Sequence, residues 1–443
     1  MGACLADDMG LGKTVQALAL ILLRADQGPT LVVAPTSVST NWLTEISRFA
    51  PSLQVKQFDQ RDRAALLQSL ASHDVLVTTY TLLHQEADAL AEIYFETIVL
   101  DEAQAIKNAA TKRSQAAMAL RGGFKFVTTG TPLENHLHEL YNLFQFINPG
   151  LLGTRKAFNE RFAIPIERTG DNESRRRFKQ IIRPFVLRRV KSRVLAELPP
   201  RTEITLEVAM SRQERHLYEA LRQNGLAMVE QEADPGNRNM QILAHIMKLR
   251  QACCNPRLID PASTIPSAKL ATFGSLIDEL IAADHKVLVF SQFVGHLDLI
   301  RRHLDKKAIS YLYLDGGTGT RLRRERVEAF QAGMAELFLI SLKAGGLGLN
   351  LTAADYVIHM DPWWNPAIED QASDRAHRIG QTRPVTIYRL VCRDTIEEKI
   401  VTLHQEKRRL AATLLEGSDT AARLDIDELL DLLRDEDVKN ADD

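Results

Sequence analysis

"TIVLDEAQ", residues 97–104, is a short apolar run that reads as a strand and stops on two carboxylates, Asp101 and Glu102. The same rhythm spreads outward from it. "TLVVAP" (30–35), "LQVKQF" (53–58), "DVLVTT" (74–79) and "FKFVTTG" (124–130) are similar runs, separated by helical patterns. Strands alternating with helices imply βαβ units and a parallel sheet covered on both faces. After Lys286 the rhythm returns with "KVLVFS", "ISYLYL", "ELFLIS", "YVIHM" and "VTIYRLV". The chain is therefore expected to be α/β, with two parallel-sheet halves. Between them, roughly 143 to 266, the sequence reads as mostly helical, with "ADPGNRN" around Asp234 as a turn between two helices.

In open parallel sheets, ligands sit beyond the carboxyl ends of the strands. Asp101 can there hold Mg²⁺, while Glu102 orients and deprotonates an attacking water. A strand that merely finishes on polar residues is the alternative, and "ADDMGLGKT", residues 6–14, weighs against it. This looks like a phosphate-binding loop: Gly10 and Gly12 can point N–H groups at a phosphate, with Asp8 and Leu11 completing the loop. Lys13 would neutralise the β- and γ-phosphates, and Thr14 would ligate the metal through its hydroxyl. The general pattern wants a glycine at position 7, where this chain has Asp7. An ordinary turn capping a helix is the other reading of this loop taken alone.

The 443 residues have room for two domains or more, and 45% hydrophobic with 25% charged residues is ordinary for a globular protein. A net charge of −2 excludes a uniformly basic surface, so nucleic acid would have to meet local patches. The clearest patch is "RRRFKQIIRPFVLRRVKSR", 175–193, with nine Arg or Lys and no acidic residue. It is either a solvated helix face or a polyanion-facing surface in which Arg188 and Arg189 take part. Four cysteines form no disulfide framework, and the adjacent Cys253 and Cys254 read as buried small residues, not zinc ligands. No run is long enough to span a bilayer, no signal-peptide pattern is present, and the expected location is cytoplasmic. From Arg423 onward, nine acidic residues against three basic make an acidic tail with one short amphipathic helix, "LDIDELLDLL".

"DDMGLGKT", "LVVAPTSVSTNW", "VLVTTY", "DEAQ", "TTGTPLEN", "VLVFSQF", "AGGLGLNLT" and "DRAHRIGQTRPV" occur in the order of the superfamily-two helicase motifs. Their wording resembles the Swi/Snf-type ATPases, DNA-translocating motors of chromatin remodelling and of related bacterial proteins. "LRRVKSRVLAELPPRTE" and "MDPWWNP" extend the resemblance from about Gly2 to about residue 416. It implies two RecA-like lobes joined by a mostly helical protrusion and linker region. The expected divisions are an ATP-binding lobe over 1–152, helical protrusions and linker over 153–265, a C-terminal lobe over 266–420 and the tail over 421–443.

The resemblance also implies roles. Arg375 and Arg378 match the family's arginine fingers, which reach the γ-phosphate from the second lobe. Gln371 and Gln381 flank the helix expected to carry them. Gln104, Thr129, Gly130 and Thr131 match the coupling motifs that relay nucleotide state to the DNA track. Pro35, Thr36, Thr79, Ser291, Gln292 and Gly346 lie in motifs that line the DNA groove, where contacts go mainly to phosphates. Trp363 and Trp364 are expected to pack at the lobe surface instead of stacking on bases.

The implied activity is DNA-dependent ATP hydrolysis, with ATP and Mg²⁺, coupled to translocation along double-stranded DNA and remodelling of protein–DNA complexes. RNA polymerase or another DNA-bound protein is the expected further partner, and in a bacterium the location would be nucleoid-associated. Family members place an adenine-contacting glutamine before the phosphate loop, and only "MGACLA" precedes Asp7 here. The chain is thus expected to be the C-terminal motor portion of a longer protein, or a truncated gene product. The rivals are a strand-separating DNA or RNA helicase, and a catalytically impaired nucleic-acid-binding remnant.

Overall fold

The computed structural model describes residues 1–403, apart from 59–62, 131–136, 190, 195–196, 232–233 and 346–348. The expected acidic tail and its helix lie outside the described residues, as do Thr131 and Gly346. The chain divides into two compact units, the first Met1–Leu198 and the second beginning at Pro199. That boundary falls inside the 153–265 stretch.

Among the described residues the first unit holds seven strands: β1 (Gly2–Leu5), β2 (Thr30–Ala34), β3 (Gln54–Gln57), β4 (Asp74–Thr79), β5 (Tyr94–Leu100), β6 (Arg121–Thr128) and β7 (Val186–Leu187). They form one sheet in the order β3-β4-β2-β5-β6-β1-β7, every pairing parallel. The second unit holds β8 (Arg201–Val208), β9 (Val287–Ser291), β10 (Tyr311–Leu314), β11 (Leu337–Ser341), β12 (Tyr356–His359) and β13 (Val385–Cys392). Their order is β10-β11-β9-β12-β13-β8, again all parallel.

Successive strand residues point to opposite faces. Leu31 and Val33 enter one core of the first unit, while Val32 and Ala34 enter another. In the second unit Val287 and Val289 face one core and Leu288 and Phe290 the other. Both faces are buried, which is why these strands read as continuous apolar runs.

Three strands depart from the sequence reading. "MGACLA", taken only as a preface, is an interior strand: β1 pairs with β6 on one side and β7 on the other. A Cβ at Gly2 would lie 2.2 Å from the Lys125 carbonyl oxygen, so only glycine fits this approach. β7 lies within the basic run and β8 within the region expected to be helical. Helices do fill most of that region, including Arg212–Gln231 and Pro235–Cys254, and Asp234 caps the latter by accepting from the Gly236 N–H at 3.1 Å. All four cysteines are free and buried, and burial pushes the Cys4 thiol up to about 12. Among the described residues no helix is long and apolar enough to cross a membrane.

The helix Ala268–Ala282 is pinned to the residues after β13 by a fully buried ion pair, Lys269 Nζ to Glu397 Oε1 and Oε2 at 2.7 and 2.5 Å. Removing one partner strands the other as an unpaired buried charge. Lys269→Met is therefore expected to lower unfolding stability by about 3–5 kcal/mol. Adding Glu397→Leu should restore part of the loss. Urea titration of both variants decides this; a single variant losing under about 1 kcal/mol contradicts it.

Candidate functional site

The phosphate-like loop leaves β1 and enters the helix Lys13–Arg24. Gly10 and Gly12 adopt φ of 85° and 74°, the left-handed region that glycine occupies without strain. Gly12 is the helix N-cap and brings no side chain over the leading N–H groups. Such N–H groups, with the helix dipole behind them, favour phosphate. Lys13 Nζ donates to the carbonyl oxygens of Asp7 and Asp8 at 2.8 and 3.2 Å, which keeps the ammonium folded into the loop. Leu11 is buried and its carbonyl accepts from Gln16, while Thr14 sits half-buried in the first turn.

Asp7, the departure from the general pattern, has a structural reason. It is fully buried, and its carboxylate accepts from the Arg189 backbone N–H at 2.9 Å, from Arg189 Nη2 at 2.5 Å and from Gln16 Nε2 at 3.3 Å. Arg189 was expected to face a polyanion. Instead its guanidinium spans Asp7 and the side-chain oxygen of Gln16, tying down the loop. Its neighbour Arg188 is exposed. Asp8 uses its carboxylate on the Lys191 N–H at 3.1 Å.

Asp101 and Glu102 follow β5, whose sheet neighbour on the β1 side is β6. Asp101 is held from four directions. Trp42 Nε1 donates to Oδ2 at 2.8 Å, Thr128 Oγ1 and the Glu102 N–H donate to Oδ1, and Tyr80 Oη donates to its carbonyl at 2.9 Å. Burial, then the nearby Asp101 and Glu102 charges, hold the Tyr80 phenol protonated well above its ordinary range, so it remains a donor. Trp42 is itself fully buried. Neither Trp42, Tyr80 nor Thr128 was assigned a role from sequence, although Trp42 closes one of the quoted motifs.

Glu102 stands in the left-handed region at φ 51°, where a non-glycine residue is strained and often functional. Gln104 Nε2 donates to Glu102 Oε2 at 2.7 Å, and Thr129 Oγ1 donates to Gln104 Oε1 at 3.2 Å. A hydrogen-bonded relay thus runs from the end of β6 to the end of β5. Gly130 continues this end of the sheet toward the phosphate loop: a Cβ there would lie 2.8 Å from the Met9 side chain.

Residues assigned to the DNA groove separate into two groups. Pro35 N-caps the helix Thr36–Phe49, with Thr36 exposed, and the Thr79 hydroxyl caps the helix Tyr80–Gln85 by accepting from the Leu82 N–H. Both positions lie at carboxyl ends of strands. Ser291 does not join them. It is 1% exposed, and its hydroxyl donates to Asp361 Oδ1 at 2.5 Å, so it braces the end of β9 instead of offering a contact to DNA. Gln292 is half-buried, its N–H also donating to Asp361. Burial raises the Asp361 carboxyl above its ordinary range, against the pull of Arg250 and these hydrogen bonds.

In the second unit, Gln371 lies on the helix Pro366–Ser373, but Arg375 and Arg378 follow it on successive turns, not on a helix. These turns are fastened by their neighbours. Gln381, almost fully buried, donates to the carbonyls of Ala354 and Ala376 at 2.8 and 3.0 Å and accepts from the Thr382 and Arg383 N–H groups. Arg201 Nη2 donates to Asp370 at 2.8 Å and its Nη1 to Asp374 at 3.3 Å. Burial works against the Arg201 charge, and the carboxylates of Asp370, Asp374 and Glu203 outweigh it. Trp363 and Trp364 flank the buried guanidinium of Arg250, 5.5 and 5.4 Å from its carbon to their ring centres, a packing arrangement.

Comparison with known proteins shows the family. The family model described as the SNF2-related domain matches residues 1–258, and that of the helicase conserved C-terminal domain matches 268–380. Bacillus subtilis YwqA, which carries the name of an ATP-dependent helicase/translocase, is 38% identical over 97% of this chain and 48% of its own length. The Arabidopsis thaliana ISWI chromatin-remodeling complex ATPase CHR11 is 35% identical over 97% of this chain and 42% of its own. The solved Sulfolobus solfataricus SWI2/SNF2 ATPase core in complex with dsDNA aligns at 35% identity over 93% of this chain and 89% of that one, with a TM-score of 0.45. The chain spans about half the length of the curated relatives it matches. With the SNF2-related model covering more than half of the chain and the helicase C-terminal model following it in order, the conclusion is plain: the chain belongs to the SNF2-related family of ATPases.

Proposed function

We propose that this chain is an ATP-driven motor that hydrolyses ATP when bound to double-stranded DNA and moves along the duplex, displacing or remodelling bound protein. The observation that supports the reading is the relay Thr129–Gln104–Glu102, which connects the end of one strand to the carboxylate proposed to activate water. A hydrolytic residue held in this way can respond to a change elsewhere in the unit, and a motor needs that property.

In this account the N–H groups after Gly12 and the Lys13 ammonium bind the β- and γ-phosphates. Glu102 takes the proton of the attacking water. Arg375 and Arg378 stabilise the charge that grows on the transferred phosphoryl oxygens. Thr14 and Asp101 fit Mg²⁺: the Asp101 carboxylate accepts three hydrogen bonds and keeps acceptor capacity on Oδ2. When bound, that ion neutralises phosphate charge. Trp42 and Thr128 keep the carboxylate aimed.

Double-stranded DNA is the proposed track, gripped through phosphates by the strand-end positions Pro35, Thr36, Thr79 and Gln292 and by exposed Arg188. The names of the relatives, a helicase/translocase and a chromatin-remodeling ATPase, are in keeping with it. Nothing among the described residues favours RNA polymerase as the protein displaced. Binding should be insensitive to sequence and fall steeply with salt. Replacing Arg188 by alanine should flatten the log–log salt slope by about one unit. Affinity that ignores salt contradicts this grip.

Strand separation is the second reading. Displacement of a third strand from a triplex, beside unwinding of a forked duplex, separates the two. The translocase reading expects triplex displacement without fork unwinding; efficient fork unwinding overturns it.

A further inference from the structure

The connection between the two units, 186–201, is more than a tether. Its first part is laced to the entry of the phosphate loop: the Ala6 N–H donates to the Leu187 carbonyl at 2.8 Å, and the Asp8 N–H to the Arg189 carbonyl at 3.0 Å. The Arg189 guanidinium then closes on buried Asp7. Its last part is laced to the arginine-bearing turns of the second unit. There the Pro199 carbonyl accepts from His377 Nε2 at 2.9 Å, and Arg201 grips Asp374, the residue immediately before Arg375.

We infer that this connecting segment carries one positioning arginine for each half of the nucleotide chemistry, Arg189 for the phosphate loop and Arg201 for the turns bearing Arg375 and Arg378. The inference rests on the ATPase reading and deepens it. Neither arginine touches nucleotide; each acts through a carboxylate.

The physical reason lies in what each removal leaves behind. Without Arg189, buried Asp7 keeps only the Gln16 amide and one backbone N–H for its charge, so the loop must shift to let water reach it. Lys13 shifts too, because its ammonium is seated on the carbonyls of Asp7 and Asp8. Nucleotide affinity is the quantity that suffers. Without Arg201, Asp370 and Asp374 lose the planar fork that spans them. The turns then sample other arrangements while the phosphate loop is untouched, so turnover suffers and affinity does not.

The test uses the full chain with a fluorescent ADP analogue for Kd, steady-state ATP turnover for kcat, and thermal melting for folding. Arg189→Ala should weaken ADP binding by about tenfold or more, equivalent to about 1.4 kcal/mol. Arg201→Ala should leave ADP affinity within about twofold and lower kcat by about a hundredfold, the scale of a misplaced catalytic group. If either alanine variant fails to fold, Arg189→Lys, Asp7→Asn and Arg201→Lys carry the same split at smaller size. Variants that melt earlier yet keep wild-type Kd and kcat overturn the inference, since their role is then only structural. A wild-type chain that binds no nucleotide removes the ATPase reading and the inference with it. Wild-type turnover with no Kd-against-kcat split removes the inference alone.

Discussion

Arg378→Ala is expected to lower kcat for ATP by about a thousandfold or more, with ADP affinity close to that of the unaltered chain. The size follows from what an arginine does in phosphoryl transfer. Charge spreads over the equatorial oxygens only as the transition state forms, so a guanidinium that meets that charge stabilises the transition state and not the bound state. The residue sits on turns fastened by Gln381 and by the Arg201 carboxylate pairs. Its truncation should therefore leave the surrounding fold standing. Kd and kcat measured on the same preparation check this. Undiminished turnover removes Arg378 from the chemistry.

Glu102→Gln is expected to lower kcat by about a hundred- to ten-thousandfold, the range for losing a general base. The substitution keeps the shape of the side chain and removes only its capacity to take a proton. Gln104 can still reach the amide oxygen that replaces Oε2, so the relay to Thr129 survives in geometry. Nucleotide binding should be unaffected, because Glu102 belongs to the strand end and not to the phosphate loop. Single-turnover hydrolysis separates this from slow product release. A variant that still cleaves ATP at the unaltered rate would place the base elsewhere.

Most strands were legible because parallel strands buried on both faces present unbroken apolar runs. β1 was not, since Gly2, Ala3 and Cys4 are small and carry little strand signal. Its burial comes from neighbours far along the chain. β8 lies at a sheet edge and mixes Arg201, Glu203 and Glu207 with apolar residues, so its strand character was lost in a helical neighbourhood. The loop residues and the carboxylate pair were legible because their chemistry is local.

Their supports were not. Trp42 lies 59 positions from the carboxylate it holds, and Arg189 lies 182 from Asp7. A count of charges sees a basic run and cannot tell an arginine clasped onto a buried carboxylate from a polyanion surface. The helix expected under Arg375 and Arg378 is replaced by turns, and there the Gln381 amide holds the intervening Ala376 carbonyl together with that of Ala354, a pairing that sequence spacing does not reveal.

Steady-state ATP turnover with and without duplex DNA measures whether hydrolysis is coupled to the duplex. A duplex-coupled motor turns over slowly alone, shows a clear rise on adding duplex of any sequence, and loses that rise in Gln104→Ala, which cuts the relay to Glu102. Turnover that is the same with and without duplex would contradict it.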